Sequence, residues 1–458
     1  MSKLIRSISG IRGIVGETLL PDTVLNYVSA FAHWCGGGTV VLGNDGRPHG
    51  QALTDLARAA LQFAGVNVID CGVVPTPTVQ LITEHTDAAG GIVITASHNP
   101  AQWNGLKFLN ASGVFLDAGE NAALFALADD GERPSVAWNA LGSVSPRTDV
   151  LDEHIERVLS AVQVDIEAIK SRHFRIAVDA VNASGSVIVP RMLGILGCDV
   201  LPIACDGSGI FPHTPEPLPE NLSSLGDAVR EHHADLGIAV DPDADRLVLF
   251  TEEGVPFGEE YSVTTAVDAV LGMLSPSDGL SVAVNLSTTR AVDDVASRYG
   301  AAVLRSPVGE INVVKLMKEH GAVIGGEGSG GIIMPAVHAG RDSLVGIALV
   351  LHALARHGGT SSAYRATLPQ YEIRKFKYST DGLDTEAVLG RAVEAFANER
   401  IDTRDGVRID FASGWVHLRA SNTEPIMRVI SEASDAYEAA VLAASVAEIA
   451  FGAGVHPL

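Results

Sequence analysis

Short apolar runs alternate with amphipathic stretches along most of the chain, and this alternation restricts the fold more than any other feature. Thr39–Gly43, Val66–Val74 and Gly91–Thr95 suit buried strands, while Gln51–Ala64 and Pro77–His85 carry the periodicity of helices. Strand–helix–strand order predicts a mainly parallel sheet covered by helices. The rhythm restarts with strands at Arg175–Asp179, Asp199–Ala204, Leu236–Val240 and Leu247–Thr251 around helices at Ser186–Gly197 and Leu222–His233. It restarts again with Ser281–Val284, Ala302–Arg305 and Ala322–Ile324, with helices at Thr289–Tyr299 and Asn312–His320. The last segment differs: Tyr371–Lys377 and Gly414–Arg419 alternate like strands, and Thr385–Asn398 and Ala436–Ile449 like helices. The expectation is an α/β protein of three related mixed- or parallel-sheet domains, at residues 1–150, 151–255 and 256–365, followed by an α+β domain at 366–458. No residue-level self-similarity accompanies this architectural repeat.

With 458 residues there is chain enough for three or four domains. A formal charge of −23 argues against a general nucleic-acid or anionic-membrane binder. It leaves room for an anionic small substrate, because a few cations in one cleft outweigh a distant acidic surface. Cys35, Cys71, Cys198 and Cys205 are scattered without metal-ligand spacing, which suits reduced thiols. No apolar run is long enough to span a bilayer, and the N-terminus has no signal core, so a cytoplasmic location is expected.

Several polar motifs stand where strands end, the position at which open α/β sheets bind ligands. The strand Gly91–Thr95 breaks into Ala96-Ser97-His98-Asn99-Pro100, which makes Ser97 the candidate reactive hydroxyl. A serine hydroxyl needs a base, a metal or a preformed phosphate to react. Asp241-Pro-Asp-Ala-Asp-Arg246 follows another strand, and Asp241, Asp243 and Asp245 can converge on one hard cation such as magnesium. Arg246 beside them suggests a nearby anion. Gly325-Gly-Glu-Gly-Ser-Gly-Gly331 allows close backbone approach, with Glu327 and Ser329 able to bond sugar hydroxyls. In Arg419-Ala-Ser-Asn-Thr-Glu-Pro-Ile-Met-Arg428, Ser421, Asn422 and Thr423 can form an anion-binding concavity charged by Arg419 and Arg428. Arg12, Arg47 and Lys107 are further cations able to line the same cleft, Lys107 through a loop returning to the strand end. Taken one at a time, each motif also has a bland reading as a surface turn, a helix cap or a solvated charge.

Together, and in this order, the four motifs resemble those of the α-D-phosphohexomutase superfamily, and the resemblance runs the length of the chain. Gly340-Arg-Asp342 after the glycine loop, and Trp103-Asn-Gly105 after the serine loop, look most like the archaeal-type phosphoglucosamine mutase and phosphomannomutase group. The resemblance implies four domains around a central cleft. It implies a phosphoserine at Ser97, with Mg²⁺ held by Asp241, Asp243, Asp245 and the Ser97 phosphate. Arg12, His98, Lys107 and Arg246 would line the transfer site. Glu327 and Ser329 would meet the sugar, and Arg419, Ser421, Asn422, Thr423 and Arg428 would hold the phosphate that is not transferred.

The implied reaction moves phosphate between O6 and O1 of a hexose or hexosamine phosphate through a sugar bisphosphate. A sugar 1,6-bisphosphate would serve as activator to phosphorylate Ser97, and the protein would be a monomer or homodimer. Glucosamine phosphate is the first choice of substrate, and mannose or glucose phosphate the second. A sugar-phosphate binding protein without turnover, or a phosphatase, would be the other classes. Two departures stand out. Several bacterial mutases have a histidine where this chain has Gly331, and glycines are common where it has Pro242 and Ala244.

Overall fold

The structure is a computed structural model that describes residues 4–275, 279–420, 426–452 and 454–458. The described residues form four sheets, in the order along the chain that the strand rhythm predicts.

The first sheet contains β1 (Ile5–Ser7), β2 (Gly10–Ile14), β3 (Thr39–Asn44), β4 (Asn67–Val73), β5 (Gly90–Ile94), β6 (Trp103–Asn110) and β7 (Val144–Pro146), ordered β1-β2-β6-β5-β3-β4-β7. Only the β5-β3-β4-β7 half is parallel. β6 runs antiparallel to both β5 and β2, so this sheet is mixed rather than mainly parallel. The sequence signal for β6 is weak because Asn104 and Gly105 interrupt it. Its pairing also relocates Lys107, which stands on this strand opposite Val93 and not on a returning loop.

The second sheet, β11-β10-β8-β9, is built from β8 (Arg175–Asp179), β9 (Asp199–Ala204), β10 (Leu236–Val240) and β11 (Leu247–Thr251). The third, β13-β12-β14-β15, uses β12 (Ser281–Asn285), β13 (Ala302–Ser306), β14 (Ile324–Glu327) and β15 (Gly331–Ile333). Both repeat one plan: parallel strands ending in an antiparallel hairpin, β10–β11 and β14–β15. β8, β10, β12 and their helices follow the apolar runs closely. The helices Tyr261–Met273 and Ser343–His357 escape a periodicity search because most of their residues are buried, leaving no polar stripe.

The fourth sheet is a meander-like antiparallel array, β16-β20-β19-β18-β17, with β16 (Glu372–Ser379), β17 (Arg400–Asp402), β18 (Val407–Asp410), β19 (Trp415–Ala420) and β20 (Ile426–Ala433). The helices Thr385–Ala395 and Ala436–Phe451 pack on its apolar side through Val388, Ala392, Ala443, Val446 and Ala450. Asp384 and Asp435 start these helices by accepting backbone N–H groups of the first turn.

Candidate active site

The serine loop is shaped by buried polar contacts. Thr95 Oγ1 donates to Asp45 Oδ2 at 2.7 Å and accepts from Ser97 N at 2.8 Å. Asp45 is paired with Arg47 at 3.0 Å, both side chains fully buried. Arg47 then donates to the carbonyls of Ser97 (2.6 Å), Asn99 (2.8 Å), Pro100 (2.9 Å) and Trp103 (3.1 Å). Arg47 is therefore a frame for the loop and not a cation of the cleft, which corrects the sequence reading. Its planar fork suits this work, since it presents five donors in fixed directions. The frame holds Ser97 at φ 50°, a left-handed conformation that costs a non-glycine residue roughly 1–2 kcal/mol.

Ser97 Oγ consequently donates to Asp241 Oδ2 at 3.0 Å and lies 3.3 Å from His98 Nδ1. Arg246 nearby, burial and Arg12 together pull the His98 imidazole down to about 2, so the ring is neutral at ordinary pH. Arg12 donates to Asn99 Oδ1 at 3.1 Å, and its charge is disfavoured chiefly by burial.

Asp241 to Arg246 form the hairpin loop between β10 and β11, where Val240 pairs with Leu247. Ala244 N bonds Asp241 O at 2.8 Å, closing a turn that requires φ 49° at Ala244. That conformation explains why glycine is comfortable there. The three carboxylates are wholly buried and offer oxygens within 4.8 Å of one another. Burial, then the charges of Asp245 and Asp243, raise the Asp241 carboxyl well above its ordinary range. Burial works in the same direction on Asp245, but Arg341, Lys107 and Arg246 outweigh it and hold Asp245 low. Lys107 Nζ donates to Asp243 Oδ2 at 2.6 Å and to Asp245 Oδ2 at 3.3 Å. Asp243 Oδ1 and Asp245 Oδ1 are buried without a hydrogen-bond donor among the described residues. Two orphaned anionic oxygens beside a third carboxylate are a donor set that fits a hard divalent cation.

The glycine-rich segment is the β14–β15 hairpin. Glu327 Oε1 accepts from Asn285 Nδ2 and Gly309 N, both at 2.9 Å, and Oε2 from Arg341 Nη1 at 2.8 Å. Ser329 sits at the tip, half-buried. On the fourth sheet, Arg419 and Arg428 are direct partners across β19 and β20. Asp405 holds Arg419 Nε at 2.9 Å. Ser421, Asn422 and Thr423 lie outside the described residues.

One cleft of about 470 Å³ joins these pieces. Arg12, Ser97, His98 and Lys107 line it from the first sheet, Arg246 from the second, Glu327 and Ser329 from the third, and Arg419 and Arg428 from the fourth. The sequence reading missed Glu216, Glu260, Glu310, Arg341, Lys375 and Lys377 as lining residues. For Arg341 a signal existed: a charged pair, Arg341-Asp342, directly before the buried helix Ser343–His357. Burial opposes the Arg341 charge, but Asp245, Glu327 and Glu310 more than offset it, and its pKa stands well above the usual arginine range. Glu260 carries the opposite effect: burial pushes its carboxyl up to about 8.

A cleft hydroxyl bonded to a buried acidic cage, and a pair of arginines that line the same cleft from another sheet, on three α/β sheets and one α+β sheet, define a protein class. The four domain models of phosphoglucomutase/phosphomannomutase match the chain: α/β/α domains I, II and III at residues 3–134, 152–254 and 252–371, and the C-terminal domain at 380–449. The chain belongs to this family, within the α-D-phosphohexomutase superfamily, and is an isomerase of the phosphohexomutase type.

Particular relatives narrow the comparison. The chain is 38% identical over 433 residues to a probable phosphoglucosamine mutase of Methanopyrus kandleri, covering 93% of each protein. It is 36% identical over 438 residues to a phosphoglucomutase/phosphomannomutase of Thermococcus kodakarensis, again covering 93% of each. A crystal structure of a phosphoglucomutase/phosphomannomutase family protein from Burkholderia thailandensis superposes with a TM-score of 0.85 at 25% identity, over 99% of this chain and 100% of that one. Among the described residues no helix is long and apolar enough to cross a membrane.

Proposed function

We propose that the protein moves a phosphoryl group between O6 and O1 of a hexose or hexosamine phosphate, with glucosamine phosphate as first substrate and mannose or glucose phosphate as second. The observation that carries this reading is the shared cleft: Ser97 Oγ lies 3.0 Å from the acidic cage at one end, while Arg419 and Arg428 line the same cavity from the fourth sheet. A phosphatase needs no second anion grip. A sugar with a phosphate at each end does.

In this reading Ser97 carries the phosphoryl group. The P–Oγ bond breaks as a sugar hydroxyl forms its own bond to phosphorus, and the hydroxyl's proton is left on Ser97 Oγ. The resulting bisphosphate turns around and returns its other phosphate. Asp241, Asp243 and Asp245 would hold Mg²⁺, which supplies charge neutralisation for the phosphoryl oxygens when bound. Lys107, Arg12 and Arg246 orient the phosphoryl group and offset its charge. Glu327 and Ser329 meet the sugar, and Arg419, Ser421, Asn422, Thr423 and Arg428 hold the idle phosphate. Most of the rate enhancement then comes from positioning and fixed charge. A sugar 1,6-bisphosphate would charge Ser97. The domains would divide near residues 150, 255 and 365, and the enzyme would act in the cytoplasm as a monomer or homodimer.

The two curated relatives carry different substrate names at nearly equal identity, so both classes are kept in the test. It compares kcat/KM on glucosamine, N-acetylglucosamine, mannose and glucose phosphates, alongside the intact mass of the purified protein. The expected result is highest kcat/KM on glucosamine phosphate and a phosphate adduct that maps to Ser97. No turnover on any of the four would end the reading.

A further inference from the structure

Arg341 is held in place before its side chain does anything. Its backbone bridges to Ile333, and Asp342 N bonds Ile332 O at 2.8 Å. Asp342 caps the following helix by accepting Leu344 N at 2.8 Å. The other Asp342 oxygen is met by His154 Nε2 at 2.8 Å and His338 Nε2 at 3.3 Å, and all three side chains are buried.

From this anchor the guanidinium reaches both loops of the site. Nη2 donates to Asp245 Oδ2 at 2.6 Å, and Nη1 to Glu327 Oε2 at 2.8 Å. Nε stands 3.0 Å from Glu310 Oε2, an ion pair without hydrogen-bond alignment. The stem of the side chain also occupies the space over Gly331. A Cβ built there would lie 2.2 Å from Arg341 Cδ and 2.9 Å from Cγ. Gly331 has no left-handed backbone to explain the missing side chain, so the arginine stem is the reason.

We infer that Arg341 is a positioning residue that couples the acidic cage to the sugar loop, Asp245 and Glu327 sharing its one guanidinium so that a change at either loop is felt at the other. The inference rests on the proposed function only for the cage as a divalent-cation site. A lysine cannot replace Arg341, because a single ammonium cannot reproduce the fork that spans two carboxylates. The glycine and the arginine form a reciprocal pair: a side chain at position 331 and the stem of Arg341 exclude each other.

The test is a double-mutant cycle read by Mn²⁺ titration, with free Mn²⁺ followed by its electron spin resonance signal. Glu327→Gln should change Mn²⁺ affinity by about threefold or more in the parent protein, although Glu327 is no part of the cage. In the Arg341→Gln background the same change should have no effect. Arg341→Lys gives a second background, should Arg341→Gln fold poorly. Gly331→Ala should displace the stem and likewise abolish the coupling. An equal Mn²⁺ response to Glu327→Gln in both backgrounds, or none in the parent, overturns the inference while leaving the cage intact. A parent that takes up no Mn²⁺ removes the cage itself, and the inference with it.

Discussion

Buried apolar side chains run without a break from Val41 and Val93 in the first sheet, through Val178 and Ile238 in the second, to Val282 and Ile324 in the third. The fourth sheet closes around a cluster of its own, with Tyr378, Val407, Val416, Met427 and Val446. Its seam with the third is polar: Ser287 Oγ meets His417 Nδ1 at 2.8 Å, Asp405 accepts Val308 N at 2.9 Å, and Arg290 N donates to Glu432 at 2.9 Å. Continuous apolar packing resists relative motion, whereas a polar interface between separate cores permits it. The difference separates two jobs. The end of the cleft with Ser97 and the cage is built into one stiff body, and the end with Arg419 and Arg428 sits on a unit with a core of its own, which is what the turning bisphosphate of the proposed reaction would require.

The stiff end should be intolerant of change. Ser97→Ala should cut turnover at least about a thousandfold and remove the phosphate adduct from the intact mass. An adduct that survives would place the reactive group elsewhere. Asp243→Asn should lower kcat by about a hundredfold or more. Its urea midpoint should stay near the parent's, because Lys107 keeps Asp245 as a partner. Full activity in that variant would detach the cage from the chemistry.

The arginine end should be more forgiving. If Arg419 grips the idle phosphate as proposed, Arg419→Ala removes one charge-assisted contact, so KM should rise roughly 10- to 100-fold while kcat falls less. An equal loss in kcat would show that the fourth sheet takes part in the transfer step, and the contrast between the two ends would fail.

The seam itself should respond to pH. Glu260 accepts Thr289 N at 3.0 Å and feels the charges of Lys375, Glu259 and Glu432, and burial first of all raises its carboxyl from 4.5 to about 8. The folded state therefore keeps a proton that the unfolded chain gives up. The stabilisation is complete below pH 4.5 and is lost as pH rises through 8. The melting temperature should fall across that window, and Glu260→Gln should flatten the fall. The smallest effect belongs to Ala244→Gly: relief of φ 49° and the added freedom of the unfolded chain are each about 1 kcal/mol and opposed. Stability should move by less than about 1 kcal/mol in thermal melts.

Much of this molecule was legible from one dimension. A buried strand must be apolar along its length and must end where polar residues begin, so β5, β10 and β14 and the loops that follow them could be read directly, and with them Ser97, the three aspartates and Glu327. β6 was not legible, because its place depends on pairing with β5 and β2, and a strand interrupted by Asn104-Gly105 shows no alternation. The roles of Arg47 and Arg341 were hidden for the same reason. As letters, both are cations beside glycine. Only folding decides that Arg47 spends its donors on four carbonyls of the serine loop, while Arg341 reaches carboxylates 14 and 96 positions away in sequence. Local pattern determines which segments are strands and which residue types stand at their ends. Which charges are desolvated together depends on contacts between distant segments, and in this protein those contacts turn a set of polar loops into a single site.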